Sequence, residues 1–76
     1  NLPTLDLKLE NGKVYAKWTT DVKNFNIPIR LRKKGGEYYF VKLNNEFAPV
    51  NLPGLTKDNL EIDMLEYPIK VSPPVP

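Results

Sequence analysis

The residues with the most chemical reach in this chain are acids near the end and bases near the middle. Asp58, Glu61, Asp63 and Glu66 place four carboxylates within nine positions. Oxygen ligands for calcium come at close alternating positions with a Gly at the sharp turn, and this stretch has neither that Gly nor that spacing. It reads as a solvated loop and strand face. Paired carboxylates for glycoside hydrolysis need a cleft deep enough to raise one pKa, which a 76-residue core can hardly build. Arg30, Arg32, Lys33 and Lys34 precede Tyr38, Tyr39 and Phe40, so basic and aromatic residues interleave as on single-strand nucleic-acid platforms. The plainer reading is a solvated turn beside a packed strand. Gly35-Gly36 lacks the Lys-Ser/Thr of a phosphate loop, and a turn explains it.

What is missing narrows the field further. The chain contains no His and no Cys. Ser-His-Asp and Cys-His catalysis, a His-Glu-x-x-His zinc site and a neutral-pH imidazole base are therefore impossible within these residues. Only carboxylate, Lys and Tyr schemes remain, and the segment is expected to be no enzyme. The absence of Cys fixes no compartment. A formal charge of +2 is too small for a nucleic-acid partner, and nothing approaches the ~20 apolar residues of a membrane span. No cofactor is expected. The chain opens at Asn1 and closes on Pro73-Pro74-Val75-Pro76, so it reads as a segment of something longer.

The elements that would position these residues are short strands. Leu5, Leu7 and Leu9 recur with period two, and Asn11-Gly12 is the dipeptide that best accepts positive φ at both centres of a type I′ turn. Counting outward from a two-residue loop pairs Leu9 with Val14, Leu7 with Ala16 and Leu5 with Trp18 on one face. Glu10 with Lys13, Lys8 with Tyr15 and Asp6 with Lys17 fall on the other. Trp18, sharing parity with Val14 and Ala16, is a core tryptophan rather than a ligand platform.

Phe25, Ile27, Ile29 and Leu31 alternate with Asn26, Pro28, Arg30 and Arg32, predicting a third strand that lies at an edge or is bulged at Pro28. A two- or four-residue loop centred on Lys33 to Gly36 pairs Arg32 with Glu37, Leu31 with Tyr38 and Ile29 with Phe40. Tyr38 and Phe40 then point inward. The expected core is Leu5, Leu7, Val14, Trp18, Phe25, Ile27, Ile29 and Phe40. Pro28, Arg30, Tyr39 and Val41 share an outer face that is half apolar. It is either scattered surface hydrophobics or a contact surface.

Farther on, Glu46 to Leu52 predicts a short edge strand with Phe47 inward, and Thr56 to Asn59 a polar loop or one helical turn. Leu60 and Ile62 make a very short strand, and Tyr67, Ile69 and Val71 the last. Six or seven short strands predict an all-β fold, a small antiparallel sandwich of immunoglobulin-like type or a partly closed barrel. It occupies residues 1–71 as one domain, with 72–76 a Pro-rich, extended and mobile tail or linker.

The order of features resembles a known family. A Gly-Lys-Val-x-x-x-Trp strand ending at Trp18, the segment Phe25-Asn26-Ile27-Pro28-Ile29, a Gly turn, Glu46-Phe47, Glu61-x-Asp63 and Tyr67-x-Ile69-x-Val71 are similar to the small C-terminal β-sandwich of aminopeptidase-N-like zinc metallopeptidases, the shorter bacterial members above all. In those relatives an acid usually follows the Phe, a Trp is often found near Phe47, and an aromatic often stands where this chain has Pro68. The resemblance implies a non-catalytic accessory module, monomeric when isolated, that packs against the catalytic domain of the same polypeptide. Zinc and the peptidase motifs would belong to that domain, so no catalytic or metal-binding role falls on any residue here. The compartment stays unknown, a bacterial periplasmic or exported parent being one setting the resemblance allows. The alternative is an independent module that stacks a carbohydrate or peptide on Tyr39 or Tyr15.

Overall fold

A computed structural model describes residues 2–63 and 70–75. Seven short strands form two sheets: β1 (Thr4–Glu10), β2 (Lys13–Thr19), β3 (Ile29–Lys33), β4 (Tyr39–Val41), β5 (Ala48–Pro49), β6 (Leu60–Ile62) and β7 (Lys70–Val75). The larger sheet has the order β5-β2-β1-β7 and the smaller β4-β3-β6. The protein is thus a small all-β sandwich, and the described residues contain no helix long and apolar enough to cross a membrane.

The first hairpin has the expected register throughout, from Glu10 opposite Lys13 to Leu5 opposite Trp18. Its cause is local. Asn11 at φ 53° and Gly12 at φ 76° give the type I′ geometry, whose twist matches that of the flanking strands. Leu5, Leu7, Val14, Ala16 and Trp18 are consequently buried on one face. Ile29 and Leu31 of the smaller sheet meet them, and Leu43, Val50 and Leu55 fill the sides of the core from the connecting segments.

Trp18 also organises the passage between sheets. Its indole Nε1 donates to the carbonyl of Ile27 at 2.8 Å, and its ring meets Phe25 edge-on at 5.1 Å. The expected strand from Phe25 is therefore corrected: 25–28 is irregular, and β3 begins only at Ile29, after Pro28. Pro28 has no N–H for a ladder, and β3 lies in the centre of its sheet, so pairing starts one residue later. Phe25 is half-buried against the core, as its inward placement requires. Ile27 is 42% exposed and is not a core residue, because its backbone, not its side chain, is what the tryptophan holds.

The second hairpin departs from expectation by one residue. Ile29 pairs with Val41, Arg30 with Phe40 and Leu31 with Tyr39. The Gly36 N–H donates to the Lys33 carbonyl at 2.7 Å and Gly35 has φ 82°, which closes a β-turn of type II character. Between that closed turn and the Leu31–Tyr39 pair lies only Arg32 on one side, but Glu37 and Tyr38 on the other. Two residues against one is a β-bulge, and it sends Tyr38 and Phe40 outward and Val41 inward. Phe40 is accordingly 66% exposed and leaves the core, while Val41 packs against it.

After Val41 the chain crosses to the larger sheet. Leu43 is buried at the corner, the Trp18 N–H donates to the Asn44 carbonyl at 2.8 Å, and Asn45 Nδ2 donates to the Trp18 carbonyl at 3.1 Å. The expected edge strand appears as β5, two residues long beside β2. Phe47, expected inward, is exposed on the outer face, where the ammonium groups of Lys8 and Lys17 lie 4.8 and 4.7 Å from its ring centre. Cations on the ring face take the place of burial. Residues 57–59 form a turn and no helix, with Asn59 Oδ1 accepting the Thr56 N–H at 2.7 Å.

The last strand differs most. β7 runs parallel to β1, Leu5 opposite Val71 and Asp6 opposite Ser72, with an irregularity before Lys8 meets Val75. The residues expected as a tail are therefore a sheet strand as far as Val75. Pro73 and Pro74 fall within the irregular stretch on an edge strand, where a missing N–H is tolerated. Tyr67 and Ile69 lie outside the described residues.

Candidate functional site

The bulge assembles the most distinctive surface of the molecule on the outer face of the smaller sheet. β3 supplies Arg30 and Arg32, and β6 sets Glu61 opposite Arg32. The Asp63 N–H donates to the Arg30 carbonyl at 2.9 Å, which carries the alignment one residue past β6. Each guanidinium then meets a carboxylate, Arg30 Nη1 that of Asp63 and Arg32 Nε that of Glu61 at 2.9 Å. The Asp63 side chain is only 8% exposed, whereas its Arg30 partner keeps 38% of its side chain in water, so the carboxylate alone is withdrawn from solvent.

Tyr38 lies against both bases. The Arg30 and Arg32 guanidinium carbons are 4.4 and 4.6 Å from its ring centre. Arg32 also reaches the Gly36 carbonyl, at 3.4 Å. The result is a braced plate of two ion pairs on one aromatic ring, and bare Phe40 stands opposite Arg30 beside it.

Of the residues expected to share a contact face, Arg30 keeps the outer side of β3 and Pro28 lies in the irregular segment before it, but Tyr39 and Val41 lie on the opposite side of β4. Tyr38 and Phe40 occupy the places expected of them. Either loop length centred on Lys33 to Gly36 gives the same facing, and the extra residue at the bulge reverses it. Tyr39, 51% exposed, instead borders a groove of about 210 Å³ with Lys33, Gly36, Glu37, Leu52 and Pro53. A second groove of about 300 Å³ lies between the Gly12–Val14 stretch and the loop from Val50 to Leu55. Neither brings together an acid, a base and a nucleophile.

No family model matches the chain, and neither the curated proteins nor the solved structures contain a match.

The outer face of the larger sheet is the remaining aromatic surface. Lys8 lies 5.4 Å from the ring centre of Tyr15 as well as near Phe47, and pairs with Glu10 at 3.4 Å. Tyr15 is thus half-covered by a cation rather than presented flat to a ligand. Among the described residues no group of three or more acids could hold a metal ion. Asp58 lies in the turn, Glu61 and Asp63 are engaged by the arginines, and Glu66 is outside the described residues.

Proposed function

We propose that this chain is a non-catalytic β-sandwich module that docks through the outer face of its smaller sheet onto the catalytic domain of an aminopeptidase-N-like zinc peptidase. One observation carries the docking face: Phe40, 66% exposed, beside the Arg30–Tyr38–Arg32 plate. An ordered, apolar and aromatic surface edged by arginine has the composition of an interface centre. Parentage comes from the resemblance, and the lack of any His or Cys supports a role without chemistry of its own.

Sequencing the native transcript through and before this segment tests the parentage. A His-Glu-x-x-His motif in the same reading frame is expected, and a frame without it removes the peptidase. The face is tested separately by mixing the segment with the upstream domain. Phe40→Ser should weaken association at least tenfold with the fold retained; undiminished association in both Phe40→Ser and Arg30→Ala would exclude this face.

A carbohydrate- or peptide-binding module is the second reading, favoured by Tyr39 beside its groove with Glu37 and Lys33. Tyrosine fluorescence titrated with soluble glycans and peptides tests it. A saturable response lost in Tyr39→Ser would support it over domain docking.

A further inference from the structure

The backbone of β4 offers a site of a different kind. In an antiparallel ladder the N–H and C=O of one residue point to the same side, and the direction alternates along the strand. The Arg30 carbonyl accepts from Asp63, on the β6 side. Arg30 therefore bonds away from β4, and the Arg30–Phe40 pair is the kind that exchanges no hydrogen bonds. Leu31 with Tyr39 and Ile29 with Val41 are the bonded pairs. It follows that the Phe40 N–H and C=O both point out from the free edge of the smaller sheet.

That edge is short and follows the bulge, but among the described residues it has neither a proline nor a covering segment. Proteins blunt exposed edges with proline or cover them. Pro49 stands in edge strand β5, and Pro73 and Pro74 in edge strand β7. β4 has no proline, and it carries Tyr39 exposed on one face and Phe40 on the other. We propose that the β4 edge accepts an added strand from a partner polypeptide, an extended segment whose apolar residues are flanked by carboxylates.

Charge selects this occupant over a second copy of the chain. From Lys33 to Asn45 the sequence has Lys33, Lys34 and Lys42 against one acid, Glu37. None of these lysines makes an ion pair among the described residues. Antiparallel pairing of two β4 strands about Phe40 would set the Lys42 of each copy beside the Glu37 of the other and leave Lys33 and Lys34 of both copies unmatched, a contact of net positive charge. An acidic extended segment meets the same lysines favourably, while main-chain bonds to Phe40 supply the register.

The test uses the 76-residue chain and two synthetic peptides, acetyl-Glu-Val-Tyr-Val-Glu-amide and the same peptide with Lys in place of each Glu. Amide chemical shifts and hydrogen exchange are followed by NMR. The acidic peptide should slow exchange of the Phe40 amide and bind at least tenfold more tightly than the basic one at low salt. Phe40→Pro removes the outward N–H without touching a β3–β4 bond, so it should abolish binding with the circular dichroism spectrum retained. Phe40→Thr keeps the N–H and should retain the exchange protection. If Phe40→Pro does not fold, protection of the Phe40 amide in the unaltered chain decides the question. Unchanged exchange at Phe40 with the acidic peptide at millimolar concentration would overturn the proposal. So would tighter binding of the basic peptide, or a dimer in sedimentation that Phe40→Pro dissolves, which would identify a second copy as the occupant.

Discussion

Tyr38 and Phe40 are two residues apart and face the same way, yet their energetic roles are opposite. Tyr38 has a guanidinium against its ring from each of two arginines, and each such contact contributes about 0.5 to 1 kcal/mol at a partly exposed site. Phe40 is two-thirds exposed and contributes area to the solvent rather than to the core. Tyr38→Ala should therefore cost about 1 to 2 kcal/mol in urea unfolding, whereas Phe40→Ala should stay within about 0.5 kcal/mol of the unaltered chain. Equal losses for the two would mean that Phe40 is covered in solution. Trp18 stands at the other extreme. It is buried, meets Phe25 edge-on and holds the Ile27 carbonyl, so one side chain closes the core and ties down the connection between sheets.

Among the elements, the two hairpins show what sequence could and could not disclose. Asn11-Gly12 leaves one loop length, and with the length known every cross-strand pair from Leu5–Trp18 to Glu10–Lys13 follows. In the second hairpin the Gly turn was legible, but the bulge at Glu37–Tyr38 has no residue-type signature, since neither residue is a Gly and both suit a regular strand. A single uncounted residue moved Phe40 out and Val41 in, and with them half of the candidate face. Alternation also misled at Ile27, which is exposed in an irregular segment, while Phe25 in the same segment does pack against the core. Deleting Glu37 should regularise the bulge while keeping Tyr39 opposite Leu31. We expect stability to change by less than about 1 kcal/mol, with the Tyr39–Leu31 contact retained in NMR spectra; a reversal of facing in β4 would place the extra residue elsewhere.

For the molecule as a whole, the larger sheet depends on a strand that composition disguises. Four of the last five residues that follow Val71 are Pro or Val, and such a sequence suggests a loose tail. Yet residues 70–75 cover β1 along its outer side. A chain ending at Val71 should lose part of that cover and unfold at lower urea concentration, by about 1 kcal/mol or more for the ladder bonds removed. An unshifted midpoint would return these residues to the solvent.

Pairing of β1 with β7 also sets an order of events in the living cell. β1 and β2 are neighbours in sequence, and a hairpin of this kind closes within roughly 1 to 10 μs. β7 leaves the ribosome much later: at roughly 5 to 20 residues per second, the interval from Thr19 to Lys70 lasts about 3 to 10 s. During those seconds β1, with Leu5, Leu7 and Leu9, can pair with β2 alone, and its second edge has nothing to bond. An unpaired β1 edge is open to other strands until β7 is made, and slower translation prolongs that exposure.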